Sequence, residues 1–115
     1  MRARTRHRVR GSNGFFVFTR ATGEDHLLTW ARMVAPAIGI VEDPVTGNGY
    51  GPLGAYPVRY GLAPASDERL EFTGRQGEAT RRPGNVRVTV DTAADGSHCV
   101  SITGDAVTAF RAELS

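Results

Sequence analysis

The rhythm of apolar and polar positions switches several times along this 115-residue chain. Phe15-Phe16-Val17-Phe18-Thr19 is almost unbroken apolar, the pattern of a strand buried on both faces. Turn residues follow from Ala21 to Asp25, and Leu27 to Val34 reads as a second strand able to pair antiparallel with the first. From Tyr50 to Tyr60 the rhythm becomes helical, with Leu53, Tyr56 and Tyr60 at spacings of three and four. Gly51, Gly54 and Ala55 would let that helix sit close to neighbouring strands. Pro52 suits a first turn. Pro57 does not, because a mid-helix proline costs about 3 kcal/mol, so the helix is predicted short or bent, ending near Gly61. Ala63 to Glu68 is a connector. Strand character returns over residues 69–75, before a Gly-containing turn. Val86, Val88 and Val90 then alternate with Arg87, Thr89 and Asp91, the signature of one buried face. Ala94 to Ser97 turns the chain, Val100 and Ile102 resume the inward alternation, and Ala106 to Ala112 reads as a last strand in a terminal hairpin. The pattern predicts an α+β class: a strand-rich domain with one principal helix.

Composition narrows this to a globular protein. A length of 115 residues suits one domain, and 40% apolar with 23% charged residues is too hydrophobic and too weakly charged for a disordered chain. Residues 1–13 stand apart as a basic, disordered arm with Arg2, Arg4, Arg6, Arg8, Arg10 and His7. No zinc spacing, recognition helix or aromatic RNA-binding strand accompanies the arm, so nucleic acid is not the expected partner. No apolar stretch reaches membrane-spanning length and no signal peptide is evident, which makes the cytoplasm the expected location. The lone Cys99 excludes an intramolecular disulfide and reads as a small buried strand residue. His26 and His98 are isolated and form no ligand set; neither a metal nor a cofactor is expected.

Candidate chemistry concentrates in Glu42-Asp43-Pro44-Val45-Thr46-Gly47-Asn48-Gly49. Pro44 restrains the backbone around Asp43. Gly47 and Gly49 permit tight turning, and a helix starting there would aim unpaired N–H groups at an anion. Asp43 beside such a start either orients a ligand's polar groups and exchanges a proton, or is a solvated turn acid.

The wider set of segments is more specific. Arg32-Met33-Val34-Ala35-Pro36 precedes Gly39-Ile40-Val41-Glu42-Asp43-Pro44, and Gly51-Pro52-Leu53-Gly54-Ala55-Tyr56 follows. Phe72-Thr73-Gly74-Arg75-Gln76-Gly77 and Arg82-Pro83-Gly84-Asn85-Val86-Arg87-Val88 come later. This order resembles the C-terminal domain of the phenazine-biosynthesis PhzF-like isomerases, relatives of diaminopimelate epimerase, over residues 11–115 or so, with 14–115 forming the domain proper. The resemblance implies a diaminopimelate epimerase-like domain, a strongly curved, mostly antiparallel sheet around one central helix. It also implies a cofactor-independent isomerase site between two similar domains.

On that resemblance Asp43 matches the active-site aspartate of the Glu-Asp-Pro motif, and Glu42 the acid before it. Gly47 opens the turn into the helix. Asn48-Gly49 stand where the family usually has Ser-Ala, so the hydroxyl is replaced by an amide. Gln76-Gly77 match a recurrent segment near the cleft, where Gln76 either positions a small carboxylate substrate or stabilises a turn. Arg32 matches an arginine before the family's Phe-Ala-Pro segment and suits an ion pair as well as a ligand. The family's main proton-transfer glutamate and a site histidine belong to the N-terminal half and have no match here. Nor does Cys99 match either cysteine of the epimerases. Three functional expectations follow: an isomerase half completed by a separate N-terminal-like half, a homodimer binding a small carboxylate, or a non-catalytic remnant.

Overall fold

A computed structural model of the chain describes residues 13–24, 27–62 and 69–115. The expected basic arm therefore lies, except for Asn13, outside the described residues, as do His26 and the 63–68 connector. Six strands form one sheet: β1 (Phe15–Thr19), β2 (Leu27–Ala35), β3 (Ile40–Asp43), β4 (Arg69–Gln76), β5 (Gly84–Thr92) and β6 (His98–Gly104). One α-helix among the described residues, α1 (Gly47–Arg59), lies between β3 and β4 in the chain.

The strand order is β1-β2-β4-β5-β6, with β3 paired to β2 beside this path. β1 and β2 pair antiparallel from Phe15↔Val34 to Thr19↔Trp30, as the sequence predicts. β2 and β4 run parallel, because the chain crosses over through β3 and α1 before returning to the sheet. The other pairings are antiparallel.

The sheet is open, which corrects the strongly curved sheet expected from the family resemblance; with four antiparallel pairings and one parallel it is mixed but, as expected, mostly antiparallel. β1 and β6 end the order and do not meet each other. Five strands along the path are too few to close around a helix, which takes about eight in small barrels. The helix covers one face instead. Its buried positions are Tyr50, Leu53, Gly54 and Pro57, the spacing of a helix stripe. They pack with Ala31, Phe72, Val86, Val88 and Val90 into the core.

This stripe differs from the predicted one. Tyr56 and Tyr60 are exposed and stack on each other at 4.7 Å instead of entering the core. Pro57 neither ends the helix nor lies outside it: its ring is buried. The helix ends where expected, with Gly61 at φ 63°, its N–H on the Val58 carbonyl and the Leu62 N–H on the Pro57 carbonyl. Those two bonds are the Schellman pattern. Pro52 falls past the first turn, because the helix starts at Gly47 rather than Tyr50.

Three other expectations are corrected. β1 is an edge strand, so Phe16 and Phe18 meet α1 through Tyr50 and Tyr56 while Val17 stays exposed. Cys99 is exposed, because it alternates away from the helix on the other edge strand. Residues 106–112 form no strand and are exposed; the terminal hairpin is β5–β6. Ile102 does face the helix start, yet remains exposed at the edge. No helix among the described residues is long and apolar enough to cross a membrane.

Candidate functional site

Strand alternation separates the two acids of the Glu-Asp-Pro motif. β3 pairs with β2, with Asp43 opposite Met33, and successive side chains leave opposite faces. Glu42 meets Arg32 in a two-pronged ion pair, Nε to Oε1 at 2.8 Å and Nη2 to Oε2 at 3.0 Å. The Arg32 hydrogen bond and charge hold the Glu42 carboxyl below its ordinary range, against a smaller opposing effect of burial. Glu42 and Arg32 therefore tie β3 to β2.

Asp43 lies on the helix side, half-buried. Its Oδ2 accepts the Thr46 hydroxyl at 2.6 Å. Gln76, from the end of β4, reaches the same turn and is 1% exposed. Its Nε2 donates to the Asp43 carbonyl at 2.8 Å and to the Thr46 hydroxyl oxygen at 2.9 Å. Its Oε1 accepts the Thr46 N–H at 3.1 Å. One buried amide thus clamps both ends of the 43–46 turn, spending both of its hydrogens on protein acceptors.

Thr46 was the residue that sequence reasoning left without a role. It precedes α1 in extended conformation, at φ −119°, where a threonine hydroxyl ordinarily accepts a first-turn N–H. Here the hydroxyl points back to Asp43 and makes no such cap. The Gly49 N–H turns onto the Thr46 carbonyl at 3.1 Å. No described side chain takes the Gly47 or Asn48 N–H, and no acidic residue lies in the first turn. The start of α1 keeps its positive end open beside a carboxylate whose orientation is set. The Asp43-x-x-Thr46 spacing was the available signal for this arrangement.

Gly77 continues the clamp. It holds φ at 94°, and a Cβ there would meet the Arg82 carbonyl oxygen at 2.2 Å and that of Pro44 at 2.8 Å. Gly49 serves packing: a Cβ would lie 2.4 Å from the Phe16 ring. Asn48 is exposed on the first turn. Asp43, Gly47, Asn48, Gly49, Gln76 and Gly77 are thus gathered around one helix start, whereas Glu42 turns away from it to Arg32.

A cavity of about 470 Å³ lies next to the turn, lined by Val45, Arg75, Pro83, Gly84, Asn85 and Asp105 among others. Asp43 does not line it; the oriented carboxylate and the uncapped N–H groups converge at the turn instead. Among the described residues no cluster of His, Cys, Asp and Glu could hold a metal ion.

Comparison with known proteins places the chain among relatives. The family model described as phenazine biosynthesis-like protein matches residues 3–112. An uncharacterized isomerase of Clostridium acetobutylicum is 45% identical over 102 residues, covering 89% of this chain and 34% of that protein. The uncharacterized isomerase YddE of Salmonella typhimurium is 47% identical over 103 residues, covering 90% and 34%. Its Escherichia coli K12 counterpart is 46% identical over the same length, with the same coverage. The crystal structure of a Bacillus anthracis phenazine biosynthesis protein of the PhzF family superposes with a TM-score of 0.69 at 24% identity. That match covers 79% of this chain and 31% of the other, and shows likeness of fold alone. The chain spans about a third of the length of the curated relatives it matches. Extending over nearly all of its residues and joined to relatives above 40% identity, the match establishes that this chain belongs to the phenazine biosynthesis-like, or PhzF, family.

Proposed function

We propose that this chain supplies one wall of the cleft of a cofactor-independent isomerase acting on small carboxylate-containing molecules. The observation that carries the reading is the Gln76 clamp: it fixes Asp43 beside a helix start whose first N–H groups have no side-chain cap. The Gly47 and Asn48 N–H groups receive the substrate carboxylate. Asp43, held through one oxygen by Thr46, uses the other to accept an ammonium or hydroxyl donor of the substrate, or to pass a proton at the reacting carbon. Gln76 and Gly77 act as positioning residues, and the Arg32–Glu42 pair anchors β3.

Isomerisation needs one group to remove a hydrogen and another to return it, and Asp43 serves only one of those acts. The second group comes from the opposing half of the cleft, which residues outside this sequence or another polypeptide provide. The named isomerase relatives, three times as long as the matched region, support that division. Excluding water from the closed cleft strengthens each electrostatic contact inside it.

The test mixes this chain with the complementary portion of the Escherichia coli relative. Isomerisation and deuterium uptake from D₂O are then followed on a panel of small unsaturated amino acids and carboxylates. Activity is expected only with both parts present, and Asp43→Asn is expected to lower it at least about 100-fold. Activity of this chain alone, unchanged by the added part, contradicts the reading, as does an Asp43→Asn protein that turns over at the wild-type rate.

A further inference from the structure

The sheet face turned away from α1 changes character from one side to the other. β4 and β5 point Arg69, Glu71, Thr73, Arg87, Thr89 and Asp91 outward, a wetted surface. Around Trp30 the same face is apolar, with Val17 59% and Trp30 37% exposed. A cavity of about 280 Å³ lies there, lined by Val17, Thr19, Trp30, Arg32, Arg75 and Glu78 among others. Strand register builds its floor. Trp30 stands between Thr19 of β1 and Arg75 of β4, and Val17 stands opposite Arg32. The neighbouring side chains leave the other face: Phe18 meets Tyr56, Ala31 joins the core and Gln76 reaches the 43–46 turn.

The two arginines at the rim keep hydrogens to spare. Arg75 gives its Nε to Glu78, and neither of its Nη groups has an acceptor among the described residues. Arg32 gives Nε and Nη2 to Glu42 and keeps Nη1. Each carboxylate thus takes one edge of its guanidinium and leaves another open. An indole beside planar guanidinium groups favours a flat aromatic ring, which stacks on both. The open edge of Arg75 favours an anion, which a guanidinium holds with two parallel hydrogen bonds. The volume is at the lower end for small-molecule sites, with room for about two fused rings and one acidic group.

We infer that this cavity is a second ligand site, which takes a small, flat aromatic anion. The ring lies over Trp30 and against Val17, and both leave water. Arg75 holds the acidic group through its Nη edge, with Nη1 of Arg32 at the rim. The site opens on the sheet face opposite the Asp43 turn and is independent of the isomerase reading.

Trp30 is the single tryptophan of the chain, so its indole N–H gives one NMR resonance that reports on this cavity. The full chain is titrated with naphthoate, with neutral naphthamide and with non-aromatic cyclohexanecarboxylate. Naphthoate is expected to shift the Trp30 resonance saturably with a Kd of about 1 mM or below, and the other two to bind at least about fivefold more weakly. Arg75→Gln is expected to weaken naphthoate at least about fivefold while keeping naphthamide within about twofold of wild type. That difference separates loss of the charge contact from loss of the fold. Asp43→Asn is expected to leave the naphthoate affinity read at Trp30 within about twofold, because the two sites are apart. A Trp30 resonance that stays still up to about 10 mM naphthoate overturns the inference. So does equal affinity for either control compound, a naphthoate affinity indifferent to Arg75→Gln, or a response confined to Gly47 and Asn48.

Discussion

At the residue scale, Gln76 matters because it is buried and its three side-chain hydrogen bonds all go to one turn. Gln76→Ala leaves the Thr46 N–H and the Asp43 carbonyl without that partner and opens a small cavity. Roughly 2–4 kcal/mol of stability should be lost, measurable by urea denaturation. Tyr50 presents the reverse case. Its ring is fully buried over Gly74, and its hydroxyl has no hydrogen-bond partner among the described residues. Tyr50→Phe should therefore stabilise the fold, by about 1 kcal/mol. Burial pushes the Tyr50 phenol up to about 12, so its protonated form is favoured in the fold. Its contribution is intact below the unfolded value near 10 and is lost as pH rises from about 10 to about 12. Denaturation at these two pH values should show the wild type weakening more than Tyr50→Phe. Glu42 has the opposite sign: its lowered carboxyl value stabilises the fold above the ordinary glutamate range and ceases to do so as pH falls through the folded value. Because Arg32 is largely in solvent, that effect is small.

At the scale of elements, small residues set how closely the helix approaches the sheet. A Cβ on Gly54 would lie 2.7 Å from Val100 Cγ1 and 2.9 Å from Val88 Cγ1. Gly54→Ala gains up to about 1 kcal/mol in helix propensity, but β-branched valines have little freedom to withdraw. A net loss of roughly 1–2 kcal/mol is expected in thermal unfolding. β5 was legible in the sequence because one of its faces is buried and the other wet, so Val86, Val88 and Val90 alternate cleanly. β3 was not: four residues, with Ile40 and Val41 exposed, carry too short a pattern. The Phe15–Phe18 run and Cys99 misled for a shared reason, since composition does not reveal which strands become edges. Pro57 misled because a buried ring can offset a missing helix bond. At the site, Asp43 and the turn were visible locally. The clamp was not, because Gln76 lies 33 residues from Asp43 and only the parallel β2–β4 crossover brings it back.

At the scale of the whole molecule, the open order β1-β2-β4-β5-β6 leaves the Asp43 turn as one wall with no facing side among the described residues. Family membership supplies the context: related isomerases are about three times as long as the region shared with this chain. On the proposed function, the wall itself recognises ligand, through the N–H groups at the start of α1 and the carboxylate of Asp43. The most direct measurement is an amide NMR titration with a small unsaturated amino acid, in wild type and in Asp43→Asn. Saturable shifts centred on Gly47 and Asn48, with affinity at least about fivefold weaker in Asp43→Asn, are the predicted result. Shifts that bypass residues 43–49, or that titrate identically in both proteins, would contradict it.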